Sequence, residues 1–142
     1  MKLIARVKLN ASPETGVSLL QTMEAANMLC DWISQQAWQS KQFRRYDIHN
    51  AIYHTARQQT DLTSQMIVRC IAKVADSYRK DRDTLRTFKP HGAMAYDGRI
   101  LSWEMDNQVV SIWTVNGRAR ISYSATDYLY VVKGNGTQQG FC

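Results

Sequence analysis

Metal-dependent phosphodiester cleavage needs clustered carboxylates to hold Mg²⁺. The β-rich part of this 142-residue chain offers only Asp97, Glu104, Asp106 and Asp127. Three of these flank or sit in turn segments, where aspartate is favoured for backbone reasons. His49 and His54 are five residues apart and fall on different sides of a helix, while His91 lies in a loop, so a three-ligand zinc site is not expected. Cys30 and Cys70 sit within apolar helical patterns, where a thiol serves as a small hydrophobe. With Cys142 they make an odd number at wide spacing, which indicates neither disulfides nor a CxxC site. There is no GxSxG, no Walker loop and no GxGxxG following a strand. No catalytic residue, metal or cofactor is expected.

The basic residues make a more coherent set. Residues 1–90 carry 14 Lys and Arg against 8 Asp and Glu, a net of +6, whereas residues 91–142 carry 4 against 4. A basic portion joined to a neutral one suggests a face that meets phosphates and a scaffold that does not. Lys41, Arg44, Arg45 and Tyr46 run into one helical segment. Gln65, Arg69, Lys73 and Lys80 mark the exposed side of the next, and Arg79, Lys80, Arg82, Arg86 and Lys89 crowd the loop that follows. Amide and aromatic side chains are interleaved with them, as suits contact with backbone and base edges. A solvated basic surface is the alternative for any one of these residues.

The elements that must position them read as follows. Residues 2–9 alternate, with Leu3, Ala5, Val7 and Leu9 on one side, which predicts a half-buried strand. Ser12-Pro13-Glu14 supplies an N-cap, a first-turn proline and a first-turn acid. A helix to about Ser40 follows, with Leu19, Met23, Ala26, Cys30 and Ile33 on one stripe and Trp32 and Trp38 widening it. Asp47 is expected to cap a second helix carrying Ile48, Ala51, Ile52 and Ala56 inward. A third, after Asp61-Leu62-Thr63, repeats Ile67, Cys70, Ile71, Val74 and Tyr78 at helical spacing. From Ala93 onward short β-type runs are punctuated by Asp97-Gly98, Asp106-Asn107 and Asn116-Gly117, the last predicting a type I′ hairpin. Tyr128–Lys133 reads as a further strand and GNGTQQGFC as a loose tail. A lone strand is not stable, so residues 2–9 are expected to join the later sheet or barrel. The fold class is α+β, a small β-sheet or barrel with a three-helix bundle inserted after the first strand. No apolar stretch approaches the roughly 20 residues that cross a bilayer, and MKLIARVKLN has no continuous hydrophobic region, so a cytoplasmic protein is expected.

The opening KLIARVKLNASPETGVSLLQTMEAANMLCDWIS, the helix LTSQMIVRCIAKVADSYRKD and the return TFKPHGAMAYDGRILSWEM, taken in order, resemble the amino-terminal part of TnpB-type proteins of insertion-sequence transposons, over residues 2 to about 115. After Ser122 the likeness fades. In that family the strands form a wedge domain and the helices a recognition lobe, which implies a wedge-like domain of residues 1–11 and 86–142 around a lobe of 12–85. The family continues into a RuvC-like nuclease that this chain does not reach. The resemblance therefore implies binding to a guide RNA and to a short motif in double-stranded target DNA, without cleavage by this polypeptide alone and with room for a separate nuclease chain. It marks Tyr46, Asn50, Ser64, Gln65, Arg69, Tyr96 and Asp97 for duplex DNA, and the basic side of the third helix adds Lys73 to that set. Charge and placement mark Lys2, Arg6, Lys8, Arg86 and Lys89 for the RNA backbone. The alternative is a non-catalytic scaffold that has kept the fold without specific nucleic-acid binding and assembles through exposed apolar surface.

Overall fold

A computed structural model describes residues 7–124 and the backbone of residues 139–141. Most of the first expected strand, the Tyr128–Lys133 run, and Lys2, Arg6, Asp127 and Cys142 lie outside the described residues. Helix α1 spans Pro13–Ser40, and Ser12 Oγ accepts the Thr15 N–H at 3.2 Å as its cap. It ends where Lys41 turns to φ 55°, giving its N–H to the carbonyls of Ala37 and Trp38. The five-residue stripe read from the sequence is buried throughout.

Helix α2 runs from Arg45 to Gln59 and α3 from Ser64 to Lys80. Contrary to the expected cap at Asp47, α2 begins from Arg44, which makes no side-chain cap. Asp47 instead lies in the first turn, where a carboxylate favours the positive end of the helix dipole. Ala51, expected inward, is exposed, and Ile48, Ile52 and Ala56 suffice to seat this shorter helix. In α3 the Thr63 hydroxyl accepts the Met66 N–H at 3.3 Å, and Arg79 and Lys80 complement the negative end.

Strands β1 (Lys8–Asn10), β3 (Leu101–Glu104), β4 (Val109–Thr114) and β5 (Gly117–Ser124) form one open antiparallel sheet in the order β1-β5-β4-β3. Leu9 pairs with Tyr123, so the strand before the helices joins the sheet after them. The three helices thus intervene between two neighbouring strands; among the described residues the sheet is open and not closed into a barrel. Strand β2 (Met94–Tyr96) pairs separately with β6 (Gln139–Phe141). The tail expected to be loose therefore contributes a strand, through backbone hydrogen bonds that need no side-chain pattern.

The expected hairpin forms, but its turn is displaced. Thr114 pairs with Gly117, leaving Val115 and Asn116 as the loop, and the positive φ falls on Gly117 at 106° while Asn116 keeps a negative one. A type I′ turn needs positive φ at both central residues, whereas a bulge glycine after an ordinary turn needs it once. Tertiary contacts favour this choice. The Val115 N–H donates to Thr22 Oγ1 at 3.0 Å, and Asn116 Nδ2 donates to Ser18 Oγ at 2.9 Å and Gln21 Oε1 at 3.0 Å, fixing the hairpin tip against α1.

One apolar cluster runs from bundle to sheet, with Ile33, Ile67, Ile71, Val74 and Tyr78 fully enclosed and Val110, Ile112 and Ile121 continuing it. Burial of each such side chain contributes about 1.5–3 kcal/mol. The Tyr78 hydroxyl ends in a polar knot, within 2.8 Å of Ser34 Oγ and accepting the Arg86 N–H at 3.3 Å, which ties the loop after α3 to α1.

Candidate nucleic-acid interface

The start of α2 and the end of α3 lie side by side, and their basic residues converge. Arg44, Arg45, Arg79 and Arg82 line a groove of about 360 Å³ with Phe43 as an apolar wall, its ring 4.5 Å from that of Tyr78. All four arginines are exposed. The lining contains one carboxylate, Asp76, which meets Arg79 at 3.8 Å with both side chains open to solvent. An ion pair so exposed leaves most of the positive charge available. The first-turn N–H groups of α2 lack a side-chain cap and add to the positive potential at the same end.

The positions marked for duplex DNA divide into three groups. Tyr46 and Asn50 are exposed one turn apart on α2, and Ser64 is exposed in the first turn of α3. Gln65 and Asp97 are brought into direct contact, Gln65 Nε2 donating to Asp97 Oδ2, and Arg99 Nη1 donates to Gln65 Oε1 at 3.0 Å. Asp97 Oδ1 also accepts the Arg99 N–H at 2.9 Å, so its carboxylate first shapes the turn after β2.

Of the rest, Tyr96 is buried, while Arg69 and Lys73 are half-buried and partly engaged within the fold. Tyr96 is fully buried, its hydroxyl donating to the Trp113 carbonyl at 3.0 Å, and burial pushes its phenol well above the ordinary range. Arg69 is half-buried, with its Nε enclosed and unpartnered among the described residues. Lys73 Nζ donates to Asn27 Oδ1 at 2.7 Å and to the Ala93 carbonyl at 2.8 Å, 5.3 Å from the Phe88 ring centre. Helical spacing places Lys73 off the apolar stripe but cannot show that the returning loop covers it. Lys73→Ala is expected to cost about 2 kcal/mol, as for hydrogen bonds from a charged donor, measured as a lowered urea midpoint. A loss under about 0.5 kcal/mol would mark it as an ordinary surface cation.

Of the positions marked for RNA, Lys8 is exposed on the outer face of the sheet and Lys89 is exposed in the loop. Arg86 Nη1 is engaged by Asp81 Oδ2 at 3.4 Å. The Thr84 hydroxyl and the Asp83 N–H hold the Asp81 carboxyl below its usual range. Hydrogen bonding to Cys30 and burial push the Cys70 thiol up, so its environment does not favour a thiolate nucleophile. Among the described residues, no three of His, Cys, Asp and Glu gather in a way that could hold a metal ion, and no helix is long and apolar enough to cross a membrane.

The groove joins two basic runs, each legible in the sequence, whose adjacency is not. Comparison with models of known families, with curated proteins and with solved structures finds no match to this chain.

Proposed function

We propose that this chain is a nucleic-acid-binding module that holds phosphates on the face shared by α2 and α3. The observation that carries this reading is the convergence of Arg44, Arg45, Arg79 and Arg82 on one groove with a single acid among them. Side chains with no packing role there, kept exposed in a concave place, suit the phosphate contacts that dominate nucleic-acid affinity. The resemblance to TnpB-type proteins narrows the ligands to a guide RNA and to duplex DNA beside the target. Tyr46, Asn50 and Ser64 are the exposed members of the duplex set, and Lys8 and Lys89 those of the RNA set.

A second reading, the scaffold, draws on Val17, Leu20 and Met28, which are exposed on one stripe of α1. The first measurement is the absorbance ratio at 260 and 280 nm of protein purified at low salt, followed by sequencing of released RNA. A discrete RNA is the expected result. Clean protein that also fails to shift structured RNA at low salt sinks the nucleic-acid reading, and concentration-dependent assembly insensitive to salt would put the scaffold in its place.

A further inference from the structure

Resting on the nucleic-acid reading, the geometry points to a narrower ligand: we propose that the arginine groove seats a single unpaired strand, with phosphates on Arg44, Arg45, Arg79 and Arg82 and a base stacked on Tyr46.

Shape carries the first step. A duplex is read by a convex element, a helix or ribbon that enters its groove. The site here is the reverse, a concavity of about 360 Å³ between two helix ends. That size lies near the lower end of small-ligand pockets, roughly 300–1,000 Å³, and suits a nucleotide-sized unit entering it. A rigid duplex can touch the rim, but only a strand whose backbone protrudes can reach arginines on both walls.

The second step concerns Tyr46. It follows Arg45 in the chain and is 76% exposed, the most open of the large apolar side chains among the described residues. Nothing in the core accounts for it, since α2 seats itself through Ile48, Ile52 and Ala56. Tyr46 is outside the groove lining but one residue along α2 from Arg45, which is in it, and single strands are bound without base-edge readout where bases stack on an open aromatic ring while cations track the backbone. Stacking needs an unpaired base, so Tyr46 favours a strand over a duplex. Ribose and deoxyribose strands share this chemistry.

The experiment is fluorescence anisotropy on the full chain at low salt, with three probes of about 10 nucleotides or base pairs: oligouridylate, oligothymidylate and a mixed-sequence duplex. Tighter binding of either strand than of the duplex is expected, and the tighter of the two identifies the sugar. Tyr46→Ala should weaken strand binding by roughly 5- to 150-fold and duplex binding by clearly less. Arg44→Ala combined with Arg79→Ala should make the slope of log affinity against log salt shallower by about 1.4 for the strand. Equal binding of strand and duplex, with Tyr46→Ala changing both alike, overturns the strand assignment and leaves the nucleic-acid reading standing. Failure to bind any probe overturns both. A melting curve for each variant separates lost binding from lost fold, and little change is expected at positions this exposed.

Discussion

Alanine at Arg44, Arg45, Arg79 and Arg82 together is expected to leave the fold intact while making nucleic-acid binding far less sensitive to salt. Each phosphate neutralised on a single strand contributes about 0.7 to the slope of log affinity against log salt, so four contacts account for about 2.8. Over a fourfold rise in salt that slope amounts to about 50-fold in affinity, and the quadruple variant should lose most of that dependence. Stability should change by no more than about 0.5 kcal/mol per substitution. All four side chains are exposed, Arg44 supplies no side-chain cap to α2, and the Arg79–Asp76 pair is open to water. The measurement is a set of binding titrations over a salt series, with thermal melts alongside. An unchanged slope would show that the phosphates meet other cations, among which Lys8, Lys41, Arg57, Lys80 and Lys89 are exposed.

Asn27→Leu should be the most damaging single polar substitution among the described residues, at about 3–5 kcal/mol, a large share of the stability of a domain this size. Asn27 is 1% exposed on α1. Its Nδ2 donates to the carbonyls of Met23, Pro90 and Gly92 at 2.9, 3.1 and 3.0 Å, and its Oδ1 accepts from Lys73 Nζ at 2.7 Å. One amide thus joins α1, α3 and the loop returning to the sheet. Leucine would leave the ammonium without one of its acceptors and two loop carbonyls without a donor, and removing one partner of a buried polar pair costs more than removing both. Combining Asn27→Leu with Lys73→Met should therefore cost less than the sum of the two single changes, as a double-mutant cycle of urea midpoints would show. Strict additivity would mean that the two side chains do not interact. The loop fixed by Asn27 leads through Ala93 into β2 and the Asp97 turn, so the variant should also loosen the contact between Gln65 and Asp97.

Local chemistry made much of this legible. Ser12-Pro13 and Thr63 start two helices as read, because a cap hydroxyl needs only its own N3 N–H. The stripes of α1 and α3 are buried residue for residue, because helical periodicity determines which side chains share a face. The expectation that the first strand joins the later sheet also holds, since an isolated strand has nowhere else to satisfy its backbone groups.

Other readings required the third dimension. Tyr96 is marked as a contact residue by the resemblance and Lys73 by its spacing off the apolar stripe, yet their polar atoms find Trp113, Asn27 and Ala93 across the fold. Asn116-Gly117 carries the composition of a type I′ turn, and the ties from Val115 and Asn116 to α1 accompany a different one. The amino-acid sequence by itself determined the three helices, the hairpin, the buried stripes of α1 and α3 and the uneven charge, since propensity, periodicity and composition act over a few residues. Which basic residues share a groove, and which polar ones are spent inside, was decided only when packing set the ends of α2 and α3 together and brought the returning loop over Lys73. Such contacts depend on distances between residues remote in the chain, about which local spacing carries no information.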